Sequence, residues 1–201
     1  KDLLEGTPIP TGGYETIFTT DCLNDLMGAF GMCWSGMSAM KDINPLRDKV
    51  GETVAHPEFS LYDDPAIQGG FSLQAFDSEG FATMRTPIVE NGKLSTFLHN
   101  SVTSSFFGLT NTANGSRGTK GSLGVSPSHL CIGTGSQSDS DVKSGTYLEL
   151  VSLQGLHSGA SAISGDFSFG ASGFLYENGE RKQAVRGVTV AGNFYKMLQE
   201  I

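Results

Sequence analysis

A histidine, a serine and an aspartate fall close together at His157, Ser158 and Asp166, inside the stretch GLHSGASAISGDFSFGASGFLYENGE at residues 155–180. These are the residue types of a nucleophilic triad. A triad is defined by geometry, however, and the chain has no GxSxG elbow to present the serine. The same residues describe equally well a histidine at a strand end with polar neighbours. His129 and Cys131 bring imidazole and thiolate chemistry that suits zinc, but only with distant partners. The other histidines, His56, His99 and His157, are not at helical ligand spacing, and no HExxH is present. Residues 114–121 (NGSRGTKG) offer backbone amides and the cations Arg117 and Lys120 to an anion. No helical pattern follows them, and they do not form a P-loop. Glu52, Asp63, Asp64 and Glu79 read as solvated or turn residues, with nothing to pair them for acid–base work. Residue types alone leave the chemistry open.

The elements that must position these groups are mostly strands. Glu90-Asn91-Gly92-Lys93 and Glu177-Asn178-Gly179-Glu180 each place Asn-Gly between strand-like runs, the strongest short hairpin signal. Strands are expected at 15–19, 59–62, 81–89, 94–99, 147–153, 172–176 and 183–190. Asp63-Asp64-Pro65 closes the second of these. One long helix is expected over 21–40, capped by Thr20 or Asp21. Leu23, Leu26, Met27, Phe30, Cys33, Trp34 and Met37 recur along it at three- and four-residue steps. Gly28, Gly31 and Gly36 weaken that helix and allow close approach of a neighbour. Residues 110–128, rich in Thr, Asn, Gly and Ser, read as a long loop. A terminal helix starts near Ala191, with Phe194, Leu198 and Ile201 on one side.

The composition describes a globular chain. Of 201 residues 38% are hydrophobic and 17% charged, which separates it from disordered sequences. The 27 glycines are nearly twice the usual share of ~7% and follow no collagen period, as suits turns, bulges and close contacts in a β-rich fold. The net charge of −8, with Lys and Arg scattered, argues against nucleic-acid binding. No apolar run reaches ~18 residues, so no membrane span is expected. Cys22, Cys33 and Cys131 are an odd, widely spaced set, which reads as reduced thiols in a reducing, cytoplasmic setting.

The 155–180 stretch, followed by Val188-Thr189-Val190-Ala191-Gly192-Asn193, resembles a late signature of the TldD/PmbA family, and within it the PmbA (TldE) branch. Phe76-Asp77-Ser78-Glu79-Gly80, the run 111–117 followed by Ser126-Pro127-Ser128, and residues 43–54 agree in order, so the likeness spans roughly 15–195. It implies an α+β fold: a glycine-rich, mostly antiparallel β-sheet or barrel-like domain with a few helices. Residues 1–201 would form a single β-rich C-terminal domain, with an N-terminal α/β domain and a C-terminal tail outside this chain. The family carries the old label "modulator of DNA gyrase". Its TldD members resemble zinc peptidases that trim modified peptides and unfolded segments, with HExxxH on the helix that matches 21–40 and a cysteine ligand near the C-terminus. PmbA-type members lack that motif and pair with TldD.

The matching helix here has neither His nor Glu, only Asp21 and Asp25. The resemblance therefore implies a metal-free subunit of a two-component metallopeptidase, with no catalytic residue and no cofactor in this chain and zinc in a TldD-type partner. Expected partners are that subunit or a second copy in a dimer, and an extended or unfolded peptide taken up by strand addition. Substrate or partner contacts are expected at His157, Ser161, Asp166, Ser168, Phe169 and Arg117, with 161–169 helping to form a cleft wall or the subunit contact. An autonomous metallopeptidase with ligands outside the fragment, and a non-proteolytic binding or assembly module, are the alternatives.

Overall fold

The computed structural model describes residues 2–71 and 73–201. Among them the main elements run β1 (Thr16–Phe18), α1 (Thr20–Ala29), α2 (Gly36–Met40), β2 (Leu61–Asp63), β3 (Thr86–Glu90), β4 (Lys93–Leu94), α3 (Ser101–Phe107), β5 (Gly115–Ser116), β6 (Gly124–Val125), β7 (Leu130–Ile132), α4 (Asp139–Val142), β8 (Thr146–Gln154), β9 (Asp166–Glu177), β10 (Glu180–Asn193) and α5 (Phe194–Glu200). The fold is α+β as expected. Its sheets are mostly antiparallel, and among the described residues they are open and close into no barrel. The chain divides into two compact units: residues up to Phe30 with Ser136–Phe194, and Gly31–Gly135 with Tyr195–Ile201.

In the first unit a sheet of order β1-β8-β9-β10 is antiparallel except for the parallel β1–β8 pair. Asn178 and Gly179 turn β9 into β10 at φ 52° and 79°, the positive values that a type I′ turn requires. β9 alternates buried Phe167, Phe169 and Ala171 with outward Ser168, a period-2 pattern with one face on the core. α1 lays buried Cys22, Leu26 and Met27 inward. Phe30 stacks on Phe194 at 4.2 Å and meets Phe167 edge-on at 6.3 Å. Gly173 lies where β9 crosses the bulge of β8. A Cβ there would sit 1.9 Å from the Glu149 carbonyl oxygen, so no other residue fits without moving the strand.

The second unit carries the antiparallel sheet β4-β3-β2-β7 and the small β5–β6 pair. Asn91 and Gly92, at φ 48° and 78°, turn β3 into β4. Trp34, Leu61, Ile88, Leu94, Phe97 and Leu98 form its buried core.

The single helix expected over 21–40 is broken. α1 ends at Ala29, a 3₁₀ turn spans Gly31–Trp34, and α2 starts at Gly36 behind Ser35, whose hydroxyl accepts from the Met37 amide. The cap of α1 is Thr19. The amide of Gly36 donates to the Leu98 carbonyl at 2.8 Å, and a Cβ at Gly36 would lie 2.4 Å from the His99 ring. Backbone bonding to a neighbouring segment thus overrides the helical period. The expected loop at 110–128 is also more ordered than its composition implies, because β5 and β6 pair within it. No described helix is long and apolar enough to cross a membrane.

Candidate functional site

The 155–165 segment folds back on the start of β9. The Ser161 amide donates to the Asp166 carbonyl at 2.9 Å, Gly165 to Ser161 at 2.7 Å, and Ser168 to Gly159 at 2.7 Å. A Cβ at Gly159 would lie 2.3 Å from the Ser168 carbonyl oxygen, so this clasp depends on glycine. The Asp166 carboxylate accepts from the Asn193 side chain at 2.9 Å, and the same amide reaches the Ser164 carbonyl. Asp166 therefore joins the start of β9 to the end of β10. His157, Ser161 and Ser168 are exposed beside this clasp. Phe169 is fully buried and stacks on Phe167 at 5.4 Å, so it supports the sheet and offers no contact surface. Arg117 is exposed and belongs to the other unit.

The first unit holds a cleft of about 650 Å³. Its walls are the strap at residues 8–14, Leu148, Leu150, Ala171 and the outer strand β10 from Gly187 to Ala191. Thr7 still pairs with Val185 in parallel register. Pro8 and Pro10 have no amide hydrogen to continue that ladder, so the strap leaves the β10 edge there.

The second unit is organised by buried polar groups. Asp63 is 1% exposed and accepts from the Asn114 side chain at 2.6 Å and from the Ser128 and His129 amides at 2.8 and 2.7 Å. Asp77 accepts from the amides of Glu79, Phe81 and Gly115. Glu79 accepts from the amide and hydroxyl of Ser101, at the start of α3. Asn100 and Thr103 form a reciprocal capping box there. His99 is fully buried, with Nδ1 3.1 Å from the Thr103 hydroxyl and Nε2 lacking a partner among the described residues. Burial pushes its pKa below the ordinary imidazole value. Cys33 is also buried, 3.1 Å from the Tyr195 hydroxyl, and desolvation raises its thiol to about 11. All three cysteines are free.

No three His, Cys, Asp or Glu side chains are grouped to hold a metal ion among the described residues. On α1, Asp21 and Asp25 both face solvent. His129 lies just before β7 and Cys131 within it, with Cys131 Sγ donating to the His129 carbonyl at 3.3 Å.

Residues 11–201 match the family model described as the PmbA/TldA metallopeptidase C-terminal domain. The chain belongs to the PmbA/TldD family. It is 32% identical over 193 residues to the "Metalloprotease PmbA homolog" of Haemophilus influenzae, covering 96% of this chain and 41% of that one. A Thermotoga maritima structure named as a candidate modulator of a DNA gyrase superposes with TM-score 0.90 at 35% identity, covering 100% of this chain and 46% of its own. TldE from Thermococcus kodakarensis gives 0.84 at 28%, covering 96% and 45%. The chain thus spans about two-fifths of the length of the curated relatives it matches.

In this PmbA/TldD chain the residues that organise the second unit carry little signal in the sequence. Asp63 and Glu79 have the sequence setting of solvated turn acids, yet they hold segments remote in sequence. One signal was available: Asp77 and Glu79 lie within the FDSEG run that supported the resemblance, and Asn114 opens the glycine-rich loop.

Proposed function

We propose that this chain is the β-rich part of a PmbA-like, metal-free subunit of a TldD/PmbA-type metallopeptidase. It would act with a zinc-bearing TldD-type partner on extended or unfolded peptides. The observation that carries this reading is α1, whose inward side chains are Cys22, Leu26 and Met27 and whose acids, Asp21 and Asp25, are exposed. A catalytic zinc needs three protein ligands and a water that the metal activates. This helix is committed to packing and supplies neither the imidazoles nor the glutamate base.

The peptide part of the proposal draws on the cleft beside β10. Its floor is apolar, and the outer edge of β10 carries backbone groups suited to pairing with an extended chain. His157, Ser161, Ser168 and Arg117 remain the proposed polar contacts, with Asp166 positioning the clasp that carries the first three. The test is zinc content and peptide cleavage by the full-length native protein, alone and mixed with a TldD-type partner. Cleavage only in the mixture is expected. Stoichiometric zinc and cleavage by the isolated protein would overturn the proposal and favour an autonomous peptidase. No complex and no activity would favour a binding module.

A further inference from the structure

The strap that borders the cleft of the first unit crosses its sheet. At one end the Thr7 amide donates to the Ala184 carbonyl, and the Thr7 carbonyl accepts from Arg186, on the outer edge of β10. At the other end Thr16 belongs to β1 and pairs with Leu148, on the far side of the sheet. Four strand spacings of about 4.8 Å separate these points, or about 19 Å. The nine residue steps from Thr7 to Thr16 reach about 30 Å when extended. The surplus length makes the strap arch, and Tyr14 holds the arch by donating its hydroxyl to the Pro10 carbonyl at 2.9 Å. Beneath it lies one face of the sheet. Val188 opposes Ala171 and Val190 opposes Phe169, so their side chains share the face that buries β9. Along β9 that face changes in size. Phe167 meets Phe30 and stacks on Phe169, but the next inward residue is Ala171, and the cleft lies over it.

We infer that this cleft selects apolar, uncharged side chains of an extended peptide, with Ala171 setting its depth. The inference rests on the peptide reading of the proposed function and adds the class of substrate. The first argument is charge. Sixteen residues line the cleft, and none carries a carboxylate, an amine, a guanidinium or an imidazole. The chain's charged share of 17% would place about three there. A charged side chain entering would lose water and gain no partner, whereas an aliphatic or aromatic one gains burial. Strap and sheet both belong to this chain, so this chemistry needs no segment from outside it. The second argument is size, since about 650 Å³ falls within the range of ligand pockets. The third is the backbone. Thr7 already lies on β10 as a parallel partner, and its ladder stops at Pro8, where the cleft begins. A peptide that takes up the edge beyond Pro8 turns alternate side chains toward the face of Val188 and Val190.

Peptide binding to the full-length native protein, read by fluorescence anisotropy, is the test. The probes are a labelled neutral hexapeptide of alternating Leu and Ser, and two versions with Lys or Asp in place of every Leu. The Leu peptide should bind at least about tenfold tighter than either charged one. Ala171→Leu should weaken it by about tenfold or more while the melting temperature holds or rises, because the longer side chain fills the cleft. Thr11→Asp, at an exposed position on the strap, decides the matter if Ala171→Leu does not fold. It should weaken the Leu peptide and strengthen the Lys peptide. Equal binding of the three peptides overturns the inference and leaves the proposed function standing, and so does an affinity that both variants leave unchanged. A full-length protein that binds none of them overturns the inference together with the peptide reading, while zinc content still tests the metal-free reading by itself.

Discussion

Replacing Asp63 should unfasten the second unit, and the size of the effect follows from its three hydrogen bonds. In Asp63→Ala, the Asn114 side chain and the Ser128 and His129 amides lose their acceptor in a site that is 1% exposed. A buried donor left unsatisfied costs about 1–3 kcal/mol. Some relaxation and entry of water reduce the sum, giving a loss of about 3–5 kcal/mol from a total stability of about 5–15 kcal/mol. Asp63→Asn separates the contributions. Its oxygen can retain both backbone amides, which converge on Oδ1, while its new amide faces the Asn114 amide donor to donor. About 1–2 kcal/mol should be lost there. Urea unfolding followed by Trp34 fluorescence reports on the relevant unit, because Trp34 is the only tryptophan and is buried in it. The midpoint should fall in the order wild type, Asn, Ala, with the slope unchanged. An Ala variant within about 1 kcal/mol of wild type would refute the account of Asp63 as the fastening point.

His99 should make stability fall on acidification. Its folded pKa lies below the unfolded value of about 6.5, so the unfolded chain binds the proton first. Stability is then full above that pH and declines below it. Urea midpoints at several pH values should show this slope in wild type and a shallower one in His99→Gln, and equal slopes would contradict it. Gly173→Ala should cost several kcal/mol or prevent folding of the first unit, because its methyl group would overlap the Glu149 carbonyl; a melting temperature within a few degrees of wild type would count against that. Native-state alkylation near pH 8 should modify Cys131 ahead of Cys22 and Cys33. The latter two are buried, and desolvation raises all three thiols, Cys33 to about 11. Peptide mapping that finds Cys33 labelled first would be contrary to this.

The hairpins were legible because Asn-Gly dictates a local backbone that no distant contact needs to supply, and both turns form where the pairs lie. β8 was legible from its alternation. The helix at 21–40 was only partly so. Its apolar period reflects burial, and burial continues past Ala29, but the helical backbone does not, since Gly36 bonds to Leu98 across the unit. Asp63 was missed for a related reason. A carboxylate before Asp64-Pro65 looks like a strand terminator, and its burial is set by Asn114, 51 residues away. The 155–180 stretch raised the question of a triad. His157 and Ser158 are exposed, and the aspartate is occupied in joining two strands, so the sequence neighbours do not share one task.

The hairpin of β5 and β6 is gripped at its base, with Asn114 held by Asp63, Gly115 by Asp77, and the Gly124 carbonyl by the Asn100 side chain. Its tip is unburdened: Gly118 has open space where a side chain would begin. An epitope tag or dye inserted between Gly118 and Gly121 would ride on a firm stem and leave the interior untouched. That gives a practical handle for tracking the protein in mixtures with its candidate partners.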